Sequence, residues 1–217
     1  MKMRYRTELT LASCFMVISC SKTVDAPKAA DDVQSAAHTA ASVASDRASV
    51  IGRAPRSSSI VILAPPQDAE RTPETDRVLP QMDQINLSFV PEILLVLPDQ
   101  LVTFLNSDDE LHNINVTEST TKEQAFNVAI PTGITFKHTF QNEGFYDVRC
   151  DVHPAMTGQI VVVGSPYAVV ADHEGNFVID NVIPGPYTLT IHAGADKIEQ
   201  PVSVESPRTE VNVKSLR

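Results

Sequence analysis

The stretch CDVHPAM, residues 150–156, places a thiol, an imidazole and a thioether within seven positions. Cys150, His153 and Met156 carry these groups. The two sulfur groups are soft metal ligands and the imidazole is a borderline one, a combination that suits zinc or copper. The stretch therefore predicts a metal site on one short loop.

The choice of metal depends on the further ligands that the chain offers. Structural zinc sites usually take several cysteines, but Cys150 is the only thiol outside the N-terminal segment. Two histidines and one cysteine, with a distant methionine, form the blue-copper arrangement. The motif thus predicts a second histidine from elsewhere in the chain. His112 in NSDDELHNINV, at the start of a predicted strand, is the best candidate.

The N-terminus predicts an export signal, because a short basic head is followed by the apolar run LTLASCFMVIS and then by Cys20. It resembles a bacterial lipoprotein signal, which predicts a signal peptide over residues 1–19 and lipidation of Cys20. An ordinary secretory signal cut nearby is the alternative, and both would export the protein. The lipoprotein interpretation implies a periplasmic protein anchored to the inner or the outer membrane.

The segment that follows, residues 20–57, is rich in alanine and serine and has no aromatic residue, so we predict a tether in which His38 is solvated. The whole chain has a net charge of −10, and loss of the basic signal would make it more acidic. Nucleic acid is therefore not expected as a partner.

The rest of the chain predicts short strands separated by turns, and no helix, which indicates a sandwich or barrel. A first domain is predicted over residues 58–164 and a second over residues 165–217. The second is small for a stable core, so it must lean on the first or borrow a strand from residues 49 to 64.

Three further histidines are assigned surface or packing roles. His138 lies mid-strand between Lys137 and Thr139, and we expect it to face solvent. His173 lies in the turn DHEGN, and His192 ends a predicted strand of the second domain.

The upstream LHN and the downstream Cys-x2-His-x2-Met resemble the amicyanin- and plastocyanin-like blue-copper proteins of the cupredoxin family. FVPEILLVLPDQLVTFLNSDDELHN and GFYDVRC are similar to the family's strands that lead into the two ligand positions. The resemblance covers about residues 58–164. It implies one type 1 copper site, with His112, Cys150 and His153 as equatorial ligands and Met156 as the weak axial ligand. It also implies that Asn113 ties the two ligand loops together and helps to hold the thiolate sulfur.

The tail YAVVADHEGNFVIDNVIPGPYTLTIH resembles carboxypeptidase-regulatory-like units of the prealbumin type. The implied architecture is all-β, a cupredoxin Greek-key β-sandwich followed by a small prealbumin-like β-sandwich. Relatives with this tail commonly carry Trp where this chain has Ala155, so exposure of the site is expected to differ.

The resemblance implies a one-electron carrier at the membrane surface. Copper enzymes add further histidine-rich sites, and the chain has no His-x-His pair, so no enzyme is predicted. The alternative is copper capture or delivery, which tends to use Met-rich or His-rich tracts, whereas the mature chain has only Met82 and Met156. A third alternative is an interaction role for the tail.

The acidic charge predicts the kind of redox partner. The run SDDE, residues 107–110, comes just before His112 and should rim the copper edge with negative charge. A partner with a basic face, such as a c-type cytochrome, is therefore expected. If these acids only rim the site, replacing Asp108, Asp109 and Glu110 by their amides should leave the copper spectrum unchanged.

Overall fold

The computed structural model describes residues 47–66 and 79–213, and these residues fold into two β-sandwiches. Within these ranges it has strands and turns but no α-helix, so the prediction of an all-β fold is confirmed. The strands are β1 Ala48–Arg53, β2 Ile60–Ala64, β3 Gln81–Ile85, β4 Ser88–Val90, β5 Ile93–Val96, β6 Leu101–Leu105, β7 His112–Glu118, β8 Gln124–Ile130, β9 Thr135–Thr139, β10 Gly144–Arg149, β11 Thr157–Val162, β12 Tyr167–Val170, β13 Asn176–Val182, β14 Gly185–Ala193, β15 Asp196–Val204 and β16 Arg208–Val211.

The first sandwich contains β3 to β11. One sheet has the order β4-β3-β6-β9 and the other β5-β11-β10-β7-β8. Alternate residues of each strand point into the space between the sheets, as Val102 and Phe104 do in β6 and Ile114 and Val116 in β7. All four side chains are fully buried. This core holds the strand ends from which the predicted ligands project.

The second sandwich contains the remaining strands. Its sheets have the orders β13-β1-β16 and β12-β2-β14-β15, and they enclose a separate apolar core that includes Val50, Leu63, Leu189 and Ile191. β1 and β2 precede the first sandwich in the chain, whereas β12 to β16 follow it. The first sandwich is thus inserted between β2 and β12 of the second.

This insertion corrects the domain boundaries expected from the sequence. β1 lies inside the predicted tether of residues 20–57, and β2 was expected to open the domain at residues 58–164. Both are instead central strands of the second sandwich, β1 between β13 and β16 and β2 between β12 and β14. Without them, the strands of residues 165–217 would form two broken sheets, which explains why this unit needs the upstream residues.

The two sandwiches pack against each other along β11. Ile160 and Val162 point into the first core, whereas Val161 and the following Val163 pack with Ile60 of β2. Because both faces are covered here, Ile160–Val162 and the following Val163 form a continuous apolar run rather than an alternating one. At the same contact, the ring of His192 meets that of Phe145 edge-on, with 4.9 Å between centroids.

Several predicted features lie outside the described residues. These are the signal peptide, Cys20, His38 and the tether up to residue 46. Among the residues that are described, no helix is both long and apolar enough to cross a membrane.

Candidate metal centre

Two paired strands close the loop that carries Cys150, His153 and Met156. β10 ends at Arg149 and β11 begins at Thr157, and these two residues are partners in the antiparallel ladder. The Cys150 N–H donates to the Met156 carbonyl at 3.1 Å, and the Met156 N–H donates to the His153 carbonyl at 2.8 Å. These two backbone hydrogen bonds within the loop close it as a tight turn.

β7 brings the distant histidine to this loop. The strand begins at His112 and runs antiparallel to β10, with Asn115 opposite Arg149. Its first residue therefore lies at the end of the sheet where the chain leaves β10 for the Cys150 loop. The His112 ring is completely buried there.

The structure brings together His112, Cys150 and His153. The Cys150 Sγ lies 3.8 Å from the Nδ1 atoms of both histidines, and the two Nδ1 atoms are 2.9 Å apart. A trigonal ion with ligand bonds of about 2.0–2.3 Å needs sulfur and nitrogen about 3.8 Å apart, as found. The nitrogens are closer than such a triangle requires, so one imidazole must turn slightly outward when the ion enters.

Both imidazoles have their outer nitrogen against a carboxylate. The His112 Nε2 lies 2.9 Å from Asp108 Oδ2, and the His153 Nε2 lies 3.1 Å from Glu110 Oε2. A proton on each Nε2 makes these contacts hydrogen bonds and leaves the Nδ1 lone pair facing the thiol. The carboxylates thus select the tautomer that a metal at the centre of the cluster needs.

Asp108 also holds the turn between β3 and β4. Its Oδ1 accepts the Asn86 N–H at 2.6 Å, and its Oδ2 accepts the Leu87 N–H at 3.0 Å. The Leu87 and Asn86 N–H groups, together with His112, keep the pKa of Asp108 below its ordinary value. Asp108 therefore links the first ligand to a neighbouring hairpin.

These contacts correct the expectation that SDDE only rims the site. Asp108 and Glu110 touch ligand histidines, and only Asp109 is an exposed acid without such a contact. A variant with all three acids replaced would therefore disturb the metal ligands as well as the surface charge. The sequence signal that could have identified Asp108 is an acid four residues before the ligand histidine.

Asn113 connects β7 to the ligand loop. Its Oδ1 accepts the Asp151 N–H at 2.7 Å, and its Nδ2 donates to Asp151 Oδ2 at 2.9 Å. The Asn113 Oδ1 also accepts a hydrogen bond from the Cys150 thiol, with 3.4 Å between oxygen and sulfur. An amide oxygen can accept from a thiol but cannot donate to a thiolate. The side chain of Asn113 thus joins β7 to the ligand loop and contacts the sulfur, as an acceptor from the thiol, and its role toward a metal-bound thiolate stays a prediction.

The cluster is buried on all sides except one. Cys150 and Met156 are almost fully buried, and Met156 packs within the first core, where its role as an axial ligand stays a prediction. The side chain of His153 is 25% exposed. Leu111 and Val152, which precede the two ligand histidines in the chain, are exposed, as are Pro154 and Ala155. An apolar surface therefore flanks the one accessible ligand.

The three other histidines within the described residues lie away from the cluster. His138 shares a face with Phe136 and Phe140, because residues two apart in a strand point the same way, and its ring also contacts Phe126. It is half-buried and burial lowers its pKa, so the expectation that it faces solvent is wrong. His173 is exposed, and His192 lies at the contact between the sandwiches.

Comparison with known proteins places the cluster in a family context. Residues 77–163 match the model of the copper binding proteins of the plastocyanin/azurin family. This segment spans all strands of the first sandwich and includes every residue of the cluster. The first sandwich thus has a cupredoxin-like β fold, and the prediction of copper is confirmed, since His112, Cys150 and His153 fit a type 1 copper site.

Three solved structures are similar to part of the chain, and each of these matches covers less than half of it. A purple cupredoxin from Nitrosopumilus maritimus is 27% identical over 39% of this chain and 99% of its own, with a TM-score of 0.36. A reduced amicyanin variant is 19% identical over 48% of this chain and 98% of its own, with the same TM-score. A copper-containing nitrite reductase from Thermus scotoductus SA-01 is 25% identical, but only 24% of its length is covered, with a TM-score of 0.37. No curated protein matches.

Proposed function

We propose that the protein is an exported type 1 copper protein that carries single electrons at the membrane surface. The observation that carries this proposal is the cluster of one buried thiol and two imidazoles, only one of which reaches the surface. When bound, copper would supply a one-electron couple between Cu(I) and Cu(II). The second sandwich, which we infer to be prealbumin-like, serves as scaffold in this proposal.

The protein's own residues supply what such a couple needs. Electron transfer is fast when the ligands move little, and here each ligand is held by a separate contact. His112 is held by Asp108, His153 by Glu110, and the Cys150 backbone by Met156. The arrangement favours a carrier over the alternative of copper capture or delivery, because delivery requires ligands that release the ion readily.

The exposed edge of His153 is the proposed exit for the electron. The apolar residues Leu111, Val152, Pro154 and Ala155 around it would let a partner approach closely without stripping water from charged groups. The nearby exposed Asp109 favours a partner with a basic face, such as a c-type cytochrome. Opposite charges steer encounter, and salt screens them over about 8 Å at physiological strength. The transfer rate with such a partner should therefore fall as salt rises.

A lipid anchor at Cys20 and a periplasmic location complete the proposal, and both rest on the sequence of the signal. Cys20→Ser should release the protein from membranes or stop its maturation. Recovery of the unaltered protein wholly soluble and without lipid would refute the anchor. It would leave the copper proposal untouched.

The direct test of the copper site is the visible and EPR spectrum of the copper-loaded protein, together with that of Cys150→Ser. The wild type should show an intense band from charge transfer between thiolate and Cu(II), and the variant should lack it. Met82→Leu, a change at a buried sulfur in the same core, is the matched control and should keep the band. A colourless wild type, or a serine variant that keeps the colour, would refute the type 1 assignment.

A further inference from the structure

The residue after the thiol ligand, Asp151, carries an unusual concentration of amide contacts. Its Oδ2 accepts the Nδ2 groups of Asn113 and Asn127, both at 2.9 Å. The Asn115 Nδ2 contacts both carboxylate oxygens, at 3.0 and 3.1 Å. We call Asp151 and these three asparagines the Asp151 clamp.

The strand register explains why the three asparagines meet. Asn113 and Asn115 are two residues apart in β7, so they share the face opposite to the core residue Ile114. Asn127 of β8 is the direct cross-strand partner of Asn115. These amides belong to the outer face of the sheet, and yet Asn113 and Asn115 are buried. The ligand loop lies over them, and Asp151 satisfies their donors.

The clamp holds the loop at both its backbone and its side chain. Besides the carboxylate contacts, the Asp151 N–H donates to Asn113 Oδ1 at 2.7 Å. Further contacts brace the clamp, since Gln124 Nε2 donates to Asn115 Oδ1 at 3.1 Å and Arg149 Nε lies 3.4 Å from Asp151 Oδ1. A residue fixed in this way leaves little freedom to the Cα of its neighbour Cys150, and hence to the direction of the thiol.

We propose that Asp151 is a positioning residue, and that the Asp151 clamp sets the orientation of Cys150 before metal binds. The proposal rests on the proposed function, because preorganised ligands serve an electron carrier. None of the four residues touches the cluster's centre except Asn113, through the thiol contact described above. Asp151 thus acts through the backbone of Cys150.

The competing interpretation is that Asp151 only adds negative charge to the docking face, since 45% of its side chain is exposed. A variant of Asp147 distinguishes this interpretation from the positioning role. Asp147 is an acid of the adjoining strand β10, it is 51% exposed, and it contacts Ser119 and Lys122 rather than the ligand loop. Asp147→Asn and Asp151→Asn therefore make the same change of charge, and only the second alters the clamp.

The first measurement uses the full-length protein without metal. Amide hydrogen exchange, followed by NMR, should show the Asp151 N–H protected in the wild type and in Asp147→Asn. Asp151→Ala should lose that protection, and residues 150–156 should exchange faster with it. Asn127→Ala removes one donor at an exposed position and should give an intermediate result. Asn127→Ala also tests the proposal if Asp151→Ala fails to fold.

The second measurement uses the copper-loaded protein. Loss of the clamp should weaken copper binding by about 10- to 100-fold, the usual effect of removing an outer-shell partner. It should also slow electron self-exchange, while Asp147→Asn changes neither. Rates and affinities of Asp151→Asn and Asp151→Ala that equal those of Asp147→Asn would overturn the proposal. So would a loss of thermal stability alone, with exchange of residues 150–156 unchanged.

The two proposals fail in distinguishable ways. If the wild type binds copper without the type 1 spectrum, the proposed function fails, whereas the exchange result in the metal-free protein still decides whether the clamp orders the loop. If the spectrum is of type 1 and the exchange is unaffected by Asp151→Ala, the clamp fails alone.

Discussion

Asp108→Asn should weaken copper binding although Asp108 is not itself a ligand. The carboxylate accepts three donors, namely the His112 Nε2 and the N–H groups of Asn86 and Leu87. Asparagine offers one acceptor oxygen, and its amide nitrogen would face an N–H donor. Because Oδ1 accepts Asn86 whereas Oδ2 accepts both Leu87 and His112, either the Asn86 contact or the other two must be lost. Even where the oxygen keeps His112, a neutral amide accepts the hydrogen bond more weakly than a carboxylate does.

The size of the effect follows from these contacts. The Asp108 side chain is only 15% exposed, so solvent replaces the lost contacts poorly. Removing the partner of a metal-bound histidine typically weakens metal binding by about 10- to 100-fold. This corresponds to about 1.4–2.8 kcal/mol of binding free energy. A lost hydrogen bond to a charged acceptor should also lower the free energy of unfolding by about 1.5–3 kcal/mol.

Competition titration against a copper chelator measures the first quantity, and urea unfolding of the metal-free protein measures the second. Asp109→Asn is the matched control, because it removes one negative charge from the neighbouring exposed residue. It should leave copper affinity and stability close to those of the wild type. Equal copper affinities for Asp108→Asn and Asp109→Asn would show that the Asp108 contact to His112 does not support the site.

Three further outcomes are expected. Glu110→Gln should raise the reduction potential, because the carboxylate beside His153 stabilises the more positive Cu(II). The Glu110 side chain is 62% exposed, so the rise should stay below about 59 mV, the shift that a tenfold change in the affinity for Cu(II) relative to Cu(I) gives. An unchanged potential would contradict this reasoning. Met156→Leu should keep the colour and raise the potential, since a weak donor to Cu(II) is lost, whereas Met82→Leu should change neither; an unchanged potential would mean that Met156 only packs. His138 has a pKa lowered from 6.5 by burial, so the unfolded chain binds the proton more tightly, and stability should fall as pH drops below about 6.5. Urea unfolding at about pH 7.5 and pH 5 should show a smaller loss for His138→Leu, and equal losses would refute this.

The sequence by itself determined the chemistry of the ligand loop. Cys150, His153 and Met156 lie within one turn, so their proximity follows from the chain and needs no long-range contact. His112 could be predicted from the sequence for a different reason, because a blue-copper site with Cys150, His153 and Met156 requires a further imidazole. The strands were readable too, since period-two alternation in a half-buried strand is a local pattern.

The same alternation also bears on His138, for which the sequence-based prediction was wrong. Phe136, His138 and Phe140 are two residues apart, and this spacing alone places His138 with the aromatic side chains. The two polar neighbours, Lys137 and Thr139, obscured it. The alternation itself could therefore have predicted that His138 packs with these aromatic side chains.

Only the tertiary structure decided which strands belong together and which polar groups meet the ligands. The small size of the second domain predicted that it could borrow a strand from residues 49 to 64, but no local pattern shows that both β1 and β2 are taken or that Val50 is central to that core. The contacts of Asp108, Glu110 and Asp151 depend on side-chain directions across loops and registers between strands. Such pairings arise from the global packing of two sheets, because local propensity specifies that a strand forms but not its neighbour.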